Sequence, residues 1–184
     1  PHKIISTGQG GLVVTDSKKL YDNLVKLKNF GRTSGGVDYH KTIGFNFKFS
    51  DLQAVIGLAQ IDNIDERIAR KRRLYQWYLD QLSGVKEIEF VKTDLSQTTP
   101  LFVDFLVPSD TRANLMKYLK KKGVGTRAFY PSINTQPAYR GFTRTKFPVS
   151  RELSQRGLWL PSSLSLKKNE VHYICKTMQT FFHD

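Results

Sequence analysis

The chain has 184 residues, 39% hydrophobic and 24% charged, proportions of a globular protein with one core or two small ones. No apolar run nears the ~20 residues of a membrane span, no signal peptide is expected, and the single cysteine, Cys175, excludes an intrachain disulfide or a cysteine-cluster metal site, so a reducing cytoplasm is the expected location. The formal net charge of +13 points to an anionic partner, whether a nucleic acid, a phosphorylated small molecule or an acidic surface.

In chain order, Lys3-Ile4-Ile5 and Leu12-Val13-Val14 flank Ser6-Thr7-Gly8-Gln9-Gly10-Gly11, a pattern that predicts strand, tight turn, strand. The chain opens almost on Lys3, with no earlier element to pair with Ile4-Ile5, so it reads as the C-terminal part of something longer. Asp16-Ser17 can cap a helix running to about residue 29, with Leu20, Leu24 and Leu27 on one face and Gly31 at its end. Residues 32–41 are irregular, and residues 43–49 alternate apolar side chains with Gly44, Asn46 and Lys48 as an extended segment would. Ser50-Asp51 cap a helix, or two with a kink near Asn63, that continues to Leu82. The first part is apolar nearly all round and is expected to be buried. The second is amphipathic and would bridge two domains.

Ser83-Gly84 stops the helix, and the remainder reads as a compact α/β unit. Strands are predicted at residues 86–91, 101–107 and 126–130. A helix runs from Pro108-Ser109-Asp110 to Gly123, a Pro/Gly/Arg-rich excursion covers residues 134–147, and a short helix starts at Ser150. Residues 158–161 read as extended, and residues 167–182 as an amphipathic closing helix.

Each motif has a plain reading beside the functional one. Lys3 with its glycines is either a surface lysine beside an ordinary turn or an amine held rigidly enough for Schiff-base chemistry. It is not a Walker-type phosphate loop, whose lysine follows its glycines. Asn46 and Lys48 suit either the polar edge of a strand or a pair that reaches a phosphate. Phe129-Tyr130-Pro131-Ser132-Ile133-Asn134-Thr135-Gln136-Pro137-Ala138-Tyr139 is a structural turn or the wall of a ligand pocket. Arg67-Ile68-Ala69-Arg70-Lys71-Arg72-Arg73 is a solvated helix face, partly neutralised by Asp65 and Glu66, or a nucleic-acid helix. The histidines show no metal-site spacing.

The order of these motifs is more specific than any one of them. Lys-Ile-Ile-Ser-Thr-Gly-Gln-Gly-Gly is followed by Gly-Phe-Asn-Phe-Lys-Phe-Ser-Asp-Leu-Gln-Ala, Ile-Gly-Leu-Ala-Gln, Phe-Tyr-Pro-Ser-Ile-Asn-Thr-Gln-Pro-Ala-Tyr and Leu-Pro-Ser-Ser-Leu-Ser-Leu. The succession resembles the DegT/DnrJ/EryC1/StrS family of sugar-nucleotide aminotransferases, which depend on pyridoxal 5′-phosphate (PLP). The resemblance covers essentially the whole chain, which looks like the C-terminal half of such an enzyme. The implied fold is α/β, the C-terminal half of a type I, aspartate aminotransferase-like transferase. Residues 1–62 would end the PLP-binding large domain, residues 63–83 would form an interdomain helix, and residues 84–184 a small α/β domain.

The resemblance makes Lys3 the lysine that binds PLP, and Asn46 a residue that reaches the cofactor phosphate of the neighbouring subunit in a homodimer with shared active sites. Lys48, Tyr130 and Asn134 would flank the substrate, a nucleoside-diphosphate keto-deoxysugar aminated with glutamate as donor. The product would be an amino sugar for a surface polysaccharide or a natural product. No metal, nucleic-acid or membrane partner is implied. Gln9 replaces the family's usual glutamate, Lys48 a common arginine, and Ile133-Asn134 stands where many members carry histidine. These departures leave the implied chemistry standing and bear on which substrate is bound. The residues that would grip most of the phosphate and the pyridine ring belong to the absent N-terminal half, so this chain should not transaminate alone. Two rivals are a non-catalytic regulator on the same fold and a basic nucleic-acid-binding module.

Overall fold

The structure is a computed structural model that describes residues 3–33, 35–139 and 146–183. The chain forms two compact units, one of residues 3–64 and one that starts at Asp65.

In the first unit the Ser17 hydroxyl accepts from Leu20 N (3.3 Å) and starts α1 (Lys18–Lys28). Beyond α1 the backbone turns left-handed at Phe30 (φ 59°) and Gly31 (φ 76°). Here two segments touch through glycine: a Cβ on Gly31 would lie 1.8 Å from the Thr42 carbonyl oxygen, and one on Gly44 2.0 Å from Gly31 N. This close approach lets residues 45–47 run along the end of α1, where Phe45 N donates to Leu27 O (2.6 Å) and Phe47 N to Lys28 O (3.0 Å). Two carbonyls that a helix leaves open at its C-terminus are thereby satisfied. The predicted extended segment thus bonds to a helix end. Its strand-like pairing is limited, among the described residues, to an isolated bridge of Asn46 with Asn29.

The hairpin predicted at the start of the chain does not form. Among the described residues no ladder joins residues 3–5 to residues 12–14, and Leu12 and Val14 are 88% and 84% exposed. An apolar run becomes a strand only when a neighbour takes its backbone hydrogen bonds. α2 (Asp51–Ile61) opens with a capping box, Ser50 with Gln53. Its expected burial is not observed: Leu52, Val55 and Leu58 are 74%, 62% and 63% exposed, and only Gly57 is buried. Nothing among the described residues of this unit covers them.

The second unit holds α3 (Ile64–Leu82, all but its first residue), separated from α2 by Asp62-Asn63. Strands β1 (Glu89–Phe90), β2 (Val103–Leu106), β3 (Arg127–Ala128) and β4 (Gly157–Leu160) form one antiparallel sheet in the order β1-β2-β4-β3. Helices α4 (Arg112–Lys121), α5 (Pro148–Arg156) and α6 (Lys168–His183) complete it, with two short 3-10 turns at Ile133–Thr135 and Pro137–Tyr139. Residues 140–145 of the predicted excursion lie outside the described residues.

Strand alternation sets the layers. Val103, Phe105, Leu158 and Leu160 point into one buried cluster with Leu74, Tyr78 and Leu82 of α3, Leu115 and Leu119 of α4, and Val171, Ile174 and Met178 of α6. Asp104 and Trp159 point to the other face, where they are directly paired in register. The buried positions of α3 (71, 74, 75, 78 and 82) follow the helical repeat. One of them, Lys71, comes from the run read as a solvated cationic face. Its ammonium donates to Leu101 O (3.0 Å) and to Ser162 O, and burial pushes its pKa down. Among the described residues no helix is long and apolar enough to cross a membrane.

Candidate functional site

Lys3 is exposed, and among the described residues no hydrogen bond or ion pair engages its Nζ. The backbone that follows it is held by α2. The Gln60 side chain accepts from Ser6 N (3.1 Å) and donates to Ser6 O (2.7 Å), while Gln53 Nε2 donates to Gln9 O (2.8 Å). Between the two glutamines a Cβ on Gly57 would lie 3.2 Å from Thr7 Cγ2, so a larger residue there would push the segment away. Positions 53, 57 and 60 share one helix stripe at i, i+4 and i+7. The lysine is thus free at its tip while the chain behind it is clamped at both ends of the glycine-rich turn.

Asn46 and Lys48 lie on the segment that closes α1, and both are exposed. Phe45 and Phe47 stack with centroids 5.1 Å apart, and the Lys48 ammonium sits 4.9 Å over the Phe30 ring. No hydrogen bond or ion pair among the described residues joins either residue to Lys3.

In the second unit Tyr130 borders a groove of 640 Å³ whose walls include Phe129, Lys146, Phe147, Ser150, Leu153 and Trp159; Asn134 is not among its lining residues. Tyr130 is exposed; its ring meets Trp159 edge-on at 4.9 Å, and the Arg127 guanidinium lies 4.8 Å over it. Phe129 packs on the same indole at 4.9 Å. The Trp159 indole N–H donates to Asp104 Oδ1 (2.5 Å), and burial still pushes the Asp104 carboxyl above its ordinary range. Asn134 is tied into the loop: Ser132 Oγ donates to its side-chain oxygen and also meets Ser150 Oγ at 2.9 Å. The α5 wall is anchored by Arg112 Nη1, which donates to Ser154 O (2.5 Å). The groove offers flat apolar walls with cations at its margin, a surface for a planar or sugar-like group that carries negative charge.

Sequence reasoning missed Gln53, Gln60, Arg127, Trp159 and Asp104. The glutamines were legible as two polar residues seven apart in an apolar helix. The alternation Leu158-Trp159-Leu160 already placed the indole opposite the core.

A family model for the DegT/DnrJ/EryC1/StrS aminotransferase family matches residues 1–179. Over 183 residues the chain is 32% identical to GDP-perosamine synthase of Escherichia coli O157:H7, covering 100% of this chain and 50% of that protein. Among solved structures, the aminotransferase TlmJ of Streptoalloteichus hindustanus superposes with a TM-score of 0.89 at 21% identity, covering 98% of this chain and 50% of that one. NtdA of Bacillus subtilis with bound cofactor PMP gives 0.81 at 21% identity, covering 92% and 41%. The chain thus spans about half the length of the curated relatives it matches.

Proposed function

Because the chain belongs to the DegT/DnrJ/EryC1/StrS aminotransferase family, whose members depend on PLP, we propose that it is part of an enzyme that aminates a nucleoside-diphosphate keto-deoxysugar. The observation that carries this reading is the free Lys3 amine ahead of a backbone clamped by Gln53 and Gln60. A reactive lysine needs that combination, since its nitrogen must attack and withdraw from one place repeatedly.

Bound PLP supplies an electron sink for the carbanion formed when the amino acid's Cα loses its proton. Lys3 Nζ would be the group that holds the cofactor and, once its amine is free, the base that takes the Cα proton. In the second half-reaction the same amine delivers a proton to the sugar carbon that receives nitrogen. Glutamate is the donor and a 4-keto or 3-keto sugar the acceptor. Asn46 would donate to the cofactor phosphate of a second copy in a homodimer, with Lys48 as the nearby cation. Tyr130 and Asn134 flank the sugar nucleotide, and Arg127 faces its diphosphate charge.

In the same reading residues 1–62 close the large domain, residues 63–83 form the interdomain helix and residues 84–184 the small domain. The exposed apolar faces of α2 and of residues 12–14 suit contact with the rest of the large domain. The test uses a protein that joins this sequence to the first half of the fold. With PLP it should absorb visible light, the band should bleach on adding glutamate, and Lys3→Ala should lack it. A keto-sugar nucleotide should then restore the band. A wild-type protein that takes up PLP without a visible band, or whose band survives Lys3→Ala, would overturn the assignment of Lys3.

A further inference from the structure

The cationic run on α3 divides into two sets. Lys71 is buried on two carbonyls, and Arg72 donates to Ser96 O (3.1 Å) and Thr98 O (3.3 Å). Arg67 is also engaged. Arg70 and Arg73 are not: among the described residues neither guanidinium has a hydrogen bond or an ion pair. They share one helix stripe with Trp77, at i, i+3 and i+7. With Lys167, Ser163 and Leu166 they line a cleft of 340 Å³ between α3 and the segment that leads into α6.

Among the described residues no carboxylate forms an ion pair with these three cations. Glu66, one turn before Arg70, forms no ion pair with it among the described residues. Glu170 uses its carboxylate on Lys167 N (2.7 Å), and Asp80 accepts from Gln76 (2.7 Å). The Lys167 ammonium has no partner among the described residues either. Three like charges around one concavity repel each other until an anion enters, and a polyanion gains from all three at once. Trp77, half-buried against the core, lines the cleft and makes no ring–ring or cation–π contact among the described residues, so no aromatic or cationic partner already occupies its cleft side.

We propose that this cleft binds a nucleotide, with the phosphates between Arg70, Arg73 and Lys167 and the aromatic base against Trp77. The volume lies at the small end of the roughly 300–1,000 Å³ of small-molecule sites, which suits one nucleotide and not a polymer. The cleft shares no lining residue with the groove at Trp159.

Trp77 is its own reporter. This chain has two tryptophans, Trp77 and Trp159, so in the complete protein carrying Trp159→Phe the part of the fluorescence that Trp77→Phe removes reports this site. Titration with GDP at low salt should quench it saturably, guanosine should not, and added salt should weaken the binding. Removing charge-assisted contacts in Arg70→Gln/Arg73→Gln should raise the Kd by about tenfold per arginine. The charge-matched control Lys120→Gln/Lys121→Gln on α4 should leave it unchanged. Absence of saturable quenching by GDP, equal loss in the control, or full binding by the arginine variant would each overturn the proposal.

Discussion

Gly157→Ala should damage the Trp159 groove through a single methyl group. The glycine has an ordinary φ of −72°, so alanine adds no backbone strain. Its Cβ, however, would lie 2.0 Å from Phe129 Cδ2 and 2.1 Å from Cγ, well inside contact distance. The ring base cannot yield without rotating the whole side chain away from Trp159, where it packs at 4.9 Å. Forced repacking costs about 1–3 kcal/mol and loss of the ring pair about 0.5–1.5 kcal/mol, so a total of about 1.5–4.5 kcal/mol is expected. At a urea slope of about 2 kcal/mol per M, the midpoint should fall by about 0.8–2.2 M. Tryptophan fluorescence follows this transition, since Trp77 and Trp159 both lie in the second unit. The steric origin is checked by a cycle with Phe129→Ala, in which Gly157→Ala should cost under about 0.5 kcal/mol. A shift of equal size in both backgrounds, or none in either, would refute the argument.

Two further outcomes follow from the described contacts. Gln60→Ala removes both bonds to Ser6 and should lower the exchange protection of the Ser6 amide about tenfold while the helix stays folded; unchanged protection would mean the clamp is not what holds the segment. Burial raises the Asp104 carboxyl above its ordinary 3.8, with the Trp159 indole N–H opposing to a lesser degree, so the folded state keeps this proton to higher pH than the unfolded chain does. The stability from this group is fully present below the unfolded pKa and declines as pH rises through the folded one. Urea midpoints across that window should fall less with pH in Asp104→Asn than in the wild type, and parallel profiles would contradict the assignment.

Much of the second unit was legible because its signals are local. Ser83-Gly84 and Gly123 stop helices, and the repeat of Leu74, Tyr78 and Leu82 marks the inner face of α3. The strands proved shorter than predicted, since pairing ends where the partner ends: β3 keeps only Arg127 and Ala128 opposite β4. In the first unit, apolar pattern misled three times, the first being the hairpin expected from the apolar runs at residues 4–5 and 12–14. Residues 43–49 found helix carbonyls instead of a strand, and α2 is apolar without being covered within its own unit.

What the sequence by itself determined is the order of motifs, and with it the family. Those rest on residue types at fixed separations along one chain. Only the tertiary structure decided which polar groups are free to act. Gln60 reaches Ser6 across 54 positions, and Lys71 reaches Ser162 across 91. A hydrogen bond depends on distance in space, so the same run of cations on α3 holds Lys71 buried and engaged while Arg70 and Arg73 stay open.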